Sequence, residues 1–295
     1  MINGVINVRK EPGMTSFGVV ARLRHITGQK KIGHAGTLDP DAEGVLPVCL
    51  GKATKLVPML TEGGKTYEAE ILLGIETDTQ DTSGRVLRSQ EVSLTEEEIR
   101  DAILSFEGTM EQIPPMYSAV KVGGKKLVDL ARKGIEVERK PRKVTFSAVE
   151  IMHIDPPRAC FRVSCGKGAY IRTLCDDIGK KLGCGGAMSH LIRTRVGNFT
   201  IEDSVTLAGI EGFFSSGRLD CCVQAIDSFF PELEKILLPD RFSKAALNGS
   251  SLPLTGTNPP KDGNKVLVYL SDGTLIGVYL REGTKYSLDT YLHEL

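Results

Sequence analysis

Asp39 is the residue in this chain whose setting most suggests chemistry. It lies in GHAGTLDPDAEGVLPVCLG, from Gly33 to Gly51, where four glycines and two prolines deny a regular helix to six hydrogen-bonding or ionisable side chains. A carboxylate on so stiff a turn can serve as a nucleophile or a general base. An aspartate before a proline also commonly starts a turn and stays solvated, so function depends on what Asp39 meets. Three other side chains stand out: Tyr67 and Tyr170, each at the start of an element, and Arg172, two residues beyond the second tyrosine.

Several chemistries lack their usual support. There is no GxxxxGK[ST] and no GxGxxG, which removes the common signatures of nucleotide hydrolysis and hydride transfer. The seven cysteines form no CxxC pair and the five histidines no i,i+4 pair, so neither a disulfide framework nor a structural metal is expected. No apolar run approaches the roughly 20 residues a bilayer requires, and MINGVINVRKEPG is too short and polar for a signal peptide. A cytoplasmic protein is expected.

Net charge is zero, yet charge is segregated along the chain. Residues 121–143 and 158–195 are each basic, while the acids gather around Glu91 to Asp101 and Glu202 to Glu234. Such a chain can present a basic face to phosphates while staying neutral overall.

The elements that must position these residues follow from period and punctuation. GVINVR reads as a strand, and Ser16 as the N-cap of a helix with Val19, Val20, Leu23 and Ile26 on its apolar stripe, ending near Gly28. GVLPVCLG reads as a strand apolar on both faces, and 53–60 as a short helix. KTYEAEILLG alternates strictly, which places Tyr67, Ala69, Ile71 and Leu73 on one buried face. Thr95 and Glu98 form a capping box before Ile99 and Ile103. PPMYSAVKVGGKKLVDLARKG predicts an extended segment, a glycine turn and a short basic helix. Strands dominate between Ile135 and Ser164; YIRTLCDDIGKKL predicts a helix closed by Gly183, and HLIRTRVGNF a strand. The segment from Leu237 to Pro260 is rich in turn formers, and KVLVYLSDGTLIGVYLREG predicts a hairpin turning at Asp272-Gly273. Strands and helices that alternate without regular βαβ order imply an α+β fold.

GHAGTLDPDAEGVLPVCLGKATK resembles the signature of the TruB family of tRNA pseudouridine synthases, and other motifs follow in the family's order. KEPGMTS is similar to its amino-terminal KPxGxTS, KTYEAEILLGIETDTQDTSG to its tyrosine-bearing strand and turn, PPMYSAVKVGGKKL to its central segment, GAYIRTL to its second tyrosine motif, and HLIRTRVGNF to its closing strand. The resemblance spans roughly residues 1–215. Val128 stands where members often carry an aromatic residue.

The resemblance implies a pseudouridine synthase fold: a central mixed, mainly antiparallel sheet flanked by helices over residues 1–236, then a small β-rich PUA-like RNA-binding domain over residues 237–295. It implies isomerisation of uridine 55 in the tRNA TΨC loop, acting on the T-arm with no metal or organic cofactor; no protein partner is expected to be required, and a monomer is the default expectation. It gives Asp39 the role of nucleophile, pairs Arg172 with it, stacks Tyr67 on the flipped uracil, lines the uracil pocket with Tyr170 and Leu191, and sets His34 against the rearranged RNA loop. Lys121, Arg193 and Arg195 become candidate RNA-backbone contacts, and Lys10 either another such contact or a support for the catalytic loop. In that setting Arg172 is expected to keep Asp39 ionised, since a neighbouring opposite charge lowers a carboxylate pKa by about 1–3 units. A guide-RNA-dependent synthase and a non-catalytic tRNA-binding or tRNA-folding protein are the alternatives. The motifs do not decide whether the carboxylate attacks the sugar, attacks the base or promotes loss of a sugar proton.

Overall fold

A computed structural model describes residues 1–254 and 260–293; residues 255–259 of the turn-rich segment, and 294–295, lie outside the described residues. The first half of the chain runs β1 (Gly4–Lys10), α1 (Ser16–Thr27), β2 (Ile32–His34), β3 (Glu43–Leu50), α2 (Val57–Glu62), β4 (Lys65–Leu73), β5 (Ile75–Thr77), β6 (Val86–Ser89), α3 (Glu96–Leu104) and β7 (Gly108–Gln112). It continues through β8 (Lys121–Val122), β9 (Lys125–Lys126), α4 (Leu127–Ala131), β10 (Arg142–Asp155), β11 (Arg158–Cys165), α5 (Ile171–Lys181), β12 (Gly186–Val196), β13 (Phe199–Thr200), α6 (Leu207–Ser215) and β14 (Val223–Gln224).

Ten of these strands form one sheet in the order β14-β1-β3-β12-β4-β11-β10-β7, with β2 on β3 and β13 on β12. Every pairing in it is antiparallel except β12 with β3, so the sheet is mixed and mainly antiparallel, within an α+β fold. The parallel seam lies at the middle of the sheet, and it brings Glu43 and Gly44 beside Ile192 and Arg193.

Burial follows the expected periods. β4 alternates fully, with Tyr67, Ala69, Ile71 and Leu73 inward against Ile99 and Ile103 of α3 and Leu174 and Ile178 of α5. Each fully buried aliphatic side chain contributes about 1.5–3 kcal/mol. The capping box of Thr95 and Glu98 starts α3, and α1 ends at Gly28 in the left-handed conformation. The N-cap of α1 is Thr15, whose hydroxyl accepts from Gly18 N–H, and Ser16 is the first helical residue. That shift by one frees the Ser16 hydroxyl for the Asp39 loop. Gly179 lets α5 lie directly on β12: a Cβ there would come within 2.0 Å of the Gly186 nitrogen.

A second, five-stranded sheet is ordered β15-β17-β18-β19-β16, from β15 (Glu234–Leu237), β16 (Leu252–Pro253), β17 (Lys265–Tyr269), β18 (Leu275–Glu282) and β19 (Lys285–Tyr291), with α7 (Ser243–Leu247) beside it. Its Leu267 and Val278 join Val5, Val45, Leu56 and Phe199 in one buried cluster, so the two sheets share a core. Among the described residues no helix is long and apolar enough to cross a membrane.

Candidate active site

Asp39 lies in the loop between β2 and β3, and four anchors hold that loop. Ser16 donates to Leu38 O and accepts from Leu38 N–H (3.0 and 2.8 Å). Gly13 N–H donates to Pro40 O. Lys10, buried, directs its ammonium at the carbonyls of Glu11, Pro40 and Ala42 (3.0, 2.8 and 2.6 Å), one for each of its three protons. Arg193, also buried, donates to the carbonyls of Val45, Thr37 and Gly36.

Lys10 and Arg193 are therefore corrected as RNA-backbone contacts: both are buried with their charges turned inward on loop carbonyls, so Lys10 takes the loop-supporting role, while Arg193 also borders the cavity that Asp39 lines. Burial lowers the Lys10 pKa to about 8. Lys121 is exposed on the β8–β9 hairpin, and Arg195 is exposed with its Nε donating to Gly197 O.

Arg172 stands in the first turn of α5, 5% exposed, with Nε donating to Asp39 Oδ2 at 2.8 Å and Nη2 at 3.4 Å from Oδ1. The remaining donors meet Tyr117 O (2.8 Å) and Thr79 O (3.1 Å), and Asp81 Oδ2 lies 3.6 Å from Nη1. The guanidinium is thus fixed at several points and its fork aims at one carboxylate.

Although 40% of the Asp39 side chain is exposed, the net effect of its surroundings is to raise its pKa. Desolvation by the cleft walls outweighs the pull of Arg172, and Asp81 adds repulsion. Arg172 lowers the pKa as expected, but the net shift is upward because the ion pair sits in a hollow rather than in open water.

Asp39, Tyr67, Tyr170, Arg172 and Leu191 line one cavity of about 310 Å³, at the lower end of ligand-pocket sizes. Tyr67, 8% exposed, projects from the second residue after the start of β4, and burial raises its hydroxyl pKa. Tyr170 is the N-cap residue of α5, placed by Gln112: Tyr170 N–H donates to Gln112 Oε1 (2.8 Å) and Gln112 Nε2 donates to Tyr170 O (3.1 Å). Leu191 comes from β12. His34 ends β2, half-buried and outside the lining of this cavity, its pKa lowered by burial and by the Arg193 charge. A second cavity of about 460 Å³ lies across the wall formed by Asp39, Tyr117, Arg172 and Leu191, lined further by Asp81, Val128 and Arg132.

Sequence reasoning missed Tyr117 and Ser118 in the cavity wall, and Thr79, Asp81 and Gln112 behind it. PPMYSAV carried a signal for Tyr117, an aromatic ring in an extended segment next to the basic run at 121–143. The carbonyls that receive Arg172 had none, since any residue supplies a carbonyl.

What the arrangement can do is offer one fixed carboxylate to a planar group held in a cavity walled by Tyr67, Tyr170 and Leu191. Among the described residues no cluster of three or more His, Cys, Asp or Glu side chains could hold a metal ion.

Residues 24–171 match the family described as TruB family pseudouridylate synthase (N terminal domain), and residues 172–239 match the tRNA pseudouridylate synthase B C-terminal domain. A protein named tRNA pseudouridine synthase B from Alkaliphilus oremlandii (strain OhILAs) is 45% identical over 272 residues, covering 91% of this chain and 90% of the relative. Another of that name from Clostridium kluyveri is 42% identical over 288 residues, covering 97% and 98%. A solved structure of an H/ACA RNP bound to a substrate RNA containing 2'-deoxyuridine superposes with TM-score 0.71 at 27% identity, covering 99% of this chain and 85% of that one.

Proposed function

The chain belongs to the TruB family of pseudouridylate synthases, and from that premise we propose that it isomerises uridine 55 in the TΨC loop of tRNA to pseudouridine, with Asp39 as nucleophile. The observation that carries this reading is the Asp39–Arg172 pair, at 2.8 Å, on the wall of a cavity that Tyr67, Tyr170 and Leu191 also line.

Isomerisation breaks the C1′–N1 bond, turns the base while it is trapped and forms C1′–C5; the proton on C5 leaves and N1 ends protonated. The uridine must first leave its stack, which costs a few kcal/mol. Stacking on an aromatic face offsets about 1–3 kcal/mol of that, and Tyr67 is placed to supply the face. Leu191, on the strand beside the one that carries Tyr67, adds apolar wall to the cavity and limits the space in which the detached base can turn. Arg172 keeps the carboxylate aimed, and Lys10 and Arg193 hold the loop that bears it, so little reorganisation is left for the reaction itself. The raised Asp39 pKa makes the anion more basic, which suits both attack and proton removal.

The T-arm is the expected partner, read by its shape and splayed loop bases. The basic β8–β9 hairpin, with Arg132 just beyond α4 on the wall of the second cavity, is suited to its phosphates.

The test is incubation with an unmodified tRNA transcript followed by chemical mapping of pseudouridine. Product is expected at position 55 alone. Asp39→Asn is expected to abolish turnover while changing tRNA affinity less than about threefold, because binding rests on phosphates and shape. No product from the parent protein would remove the enzymatic reading; product from Asp39→Ala would remove the nucleophile.

A further inference from the structure

We propose that Gln80 is a positioning residue for Arg172, a clamp that fixes the turn between β5 and β6 so that two of its groups face the guanidinium. Gln80 is the one non-glycine with positive φ (65°) among the described residues. A left-handed glutamine is a strained choice where glycine or asparagine would sit more easily, and it persists only where the surroundings hold it.

Its surroundings do hold it. Nε2 donates to Asp176 Oδ2 (2.8 Å), and Oε1 accepts from Thr173 Oγ1 (2.8 Å), so both halves of the amide are committed to α5. Its carbonyl accepts from Met188 N–H (3.0 Å), and Thr82 N–H donates to Met188 O (2.9 Å), which fastens the turn to β12.

The residues on either side are the ones that meet Arg172. Thr79 O accepts from Nη1 at 3.1 Å, and Asp81 Oδ2 lies 3.6 Å from the same nitrogen. Thr173 is the residue after Arg172, and Asp176 is one turn further on the same helix. Gln80 therefore ties the acceptor turn to the helix that carries the donor and keeps the two in register. Without the clamp the turn can relax toward negative φ, carrying the Thr79 carbonyl and the Asp81 carboxylate away from Arg172 and loosening its aim at Asp39.

The inference rests on the proposed reaction for its kinetic consequence, and the experiment separates the two. Single-turnover pseudouridine formation is measured on an unmodified tRNA transcript with the full chain and Gln80→Ala, Gln80→Gly, Gln80→Glu and Gln80→Glu/Asp176→Asn. Gln80→Ala and Gln80→Gly are expected to lose about 10- to 100-fold in rate, the scale of a small misplacement of a reacting group, with tRNA Kd within about twofold. Gln80→Glu places a carboxylate against Asp176 and is expected to fall as far. Adding Asp176→Asn restores a donor and acceptor pair of reversed polarity and should recover the rate to within about threefold.

Exchange of the Arg172 Nε proton, assigned by its loss in Arg172→Lys, is followed by NMR and is independent of turnover. It should quicken about tenfold in Gln80→Ala and be restored in the double variant. A parent protein without product would defeat the proposed function and leave the exchange test standing. Parental rate or exchange in Gln80→Gly would overturn the clamp, as would a double variant no better than Gln80→Glu.

Discussion

Asp39 and Arg172 sit 133 positions apart in the chain and 2.8 Å apart in space. Their pairing was expected from the family resemblance, but the balance of forces on the carboxylate was not. The pair lies in a hollow where desolvation wins, so the Asp39 pKa is raised above its ordinary value. The sign for activity follows: if the reaction needs the anion, the rate falls as pH drops through the raised pKa. The acid limb of a single-turnover pH–rate profile is thus expected above the range of an exposed aspartate. A limb at or below that range would show that the cleft does not desolvate the reacting carboxylate. Lys10 and Arg193 teach the companion lesson, because a basic side chain in an RNA-modifying family invites a phosphate role. Both instead satisfy carbonyls behind the loop.

At the scale of elements, the seam between β3 and β12 decides the geometry. Gly44 stands there at φ 109°, and a Cβ would meet the Arg193 carbonyl oxygen at 2.2 Å. Gly44→Ala is expected to lower unfolding free energy by at least about 3 kcal/mol, since a steric clash with backbone adds to the roughly 1–3 kcal/mol of the unfavourable dihedral. Gly123→Ala is the control: its φ is 57° and nothing lies within 4 Å, so about 1 kcal/mol is expected. Urea titrations of the two variants check this, and equal losses would mean that the seam tolerates a Cβ. Most of the strands and helices around the site were legible in the sequence, although the helix expected over 53–60 starts only at Val57 and the strand expected from Ile135 only at Arg142. The alternation of KTYEAEILL, the Thr95–Glu98 box and the Asp272-Gly273 turn each act locally. The α1 cap was read one residue late because Thr15 and Ser16 are both good caps, and only packing against Leu38 selects which hydroxyl turns inward.

For the whole molecule, charge counted along the chain misjudged charge in space. Of the basic residues between 158 and 195, Arg158 pairs with Glu70, Arg162 with Glu68 and Glu150, Lys167 with Glu62 and Lys180 with Asp176. Arg172 and Arg193 face inward. The sheet brought Glu68, Glu70 and Glu150 to that segment, whereas the 121–143 segment stays largely exposed, with Lys121, Lys125 and Lys126 all at the surface. The second sheet is likewise bound to the first by a shared core. Leu267, fully buried there, is expected to cost about 2–5 kcal/mol as Leu267→Ala. Fluorescence and circular dichroism should then follow one coincident transition at lower denaturant. Two separated transitions would show that the sheets unfold independently.

The sequence by itself determined the principal strands and helices of the first sheet, which side of β4 carries Tyr67, and, through ordered motifs, the family and the choice of Asp39 as candidate carboxylate. These depend on period, turn chemistry and residue type, which are written locally. Only the tertiary structure decided that Arg193 holds the loop, which of two readings applies to Lys10, that Gln112 and Gln80 set the N-terminal end of α5 and its partner turn, and that Asp39 is pushed up rather than down. Those outcomes depend on backbone carbonyls and on the depth of a cleft, and neither belongs to any single residue type.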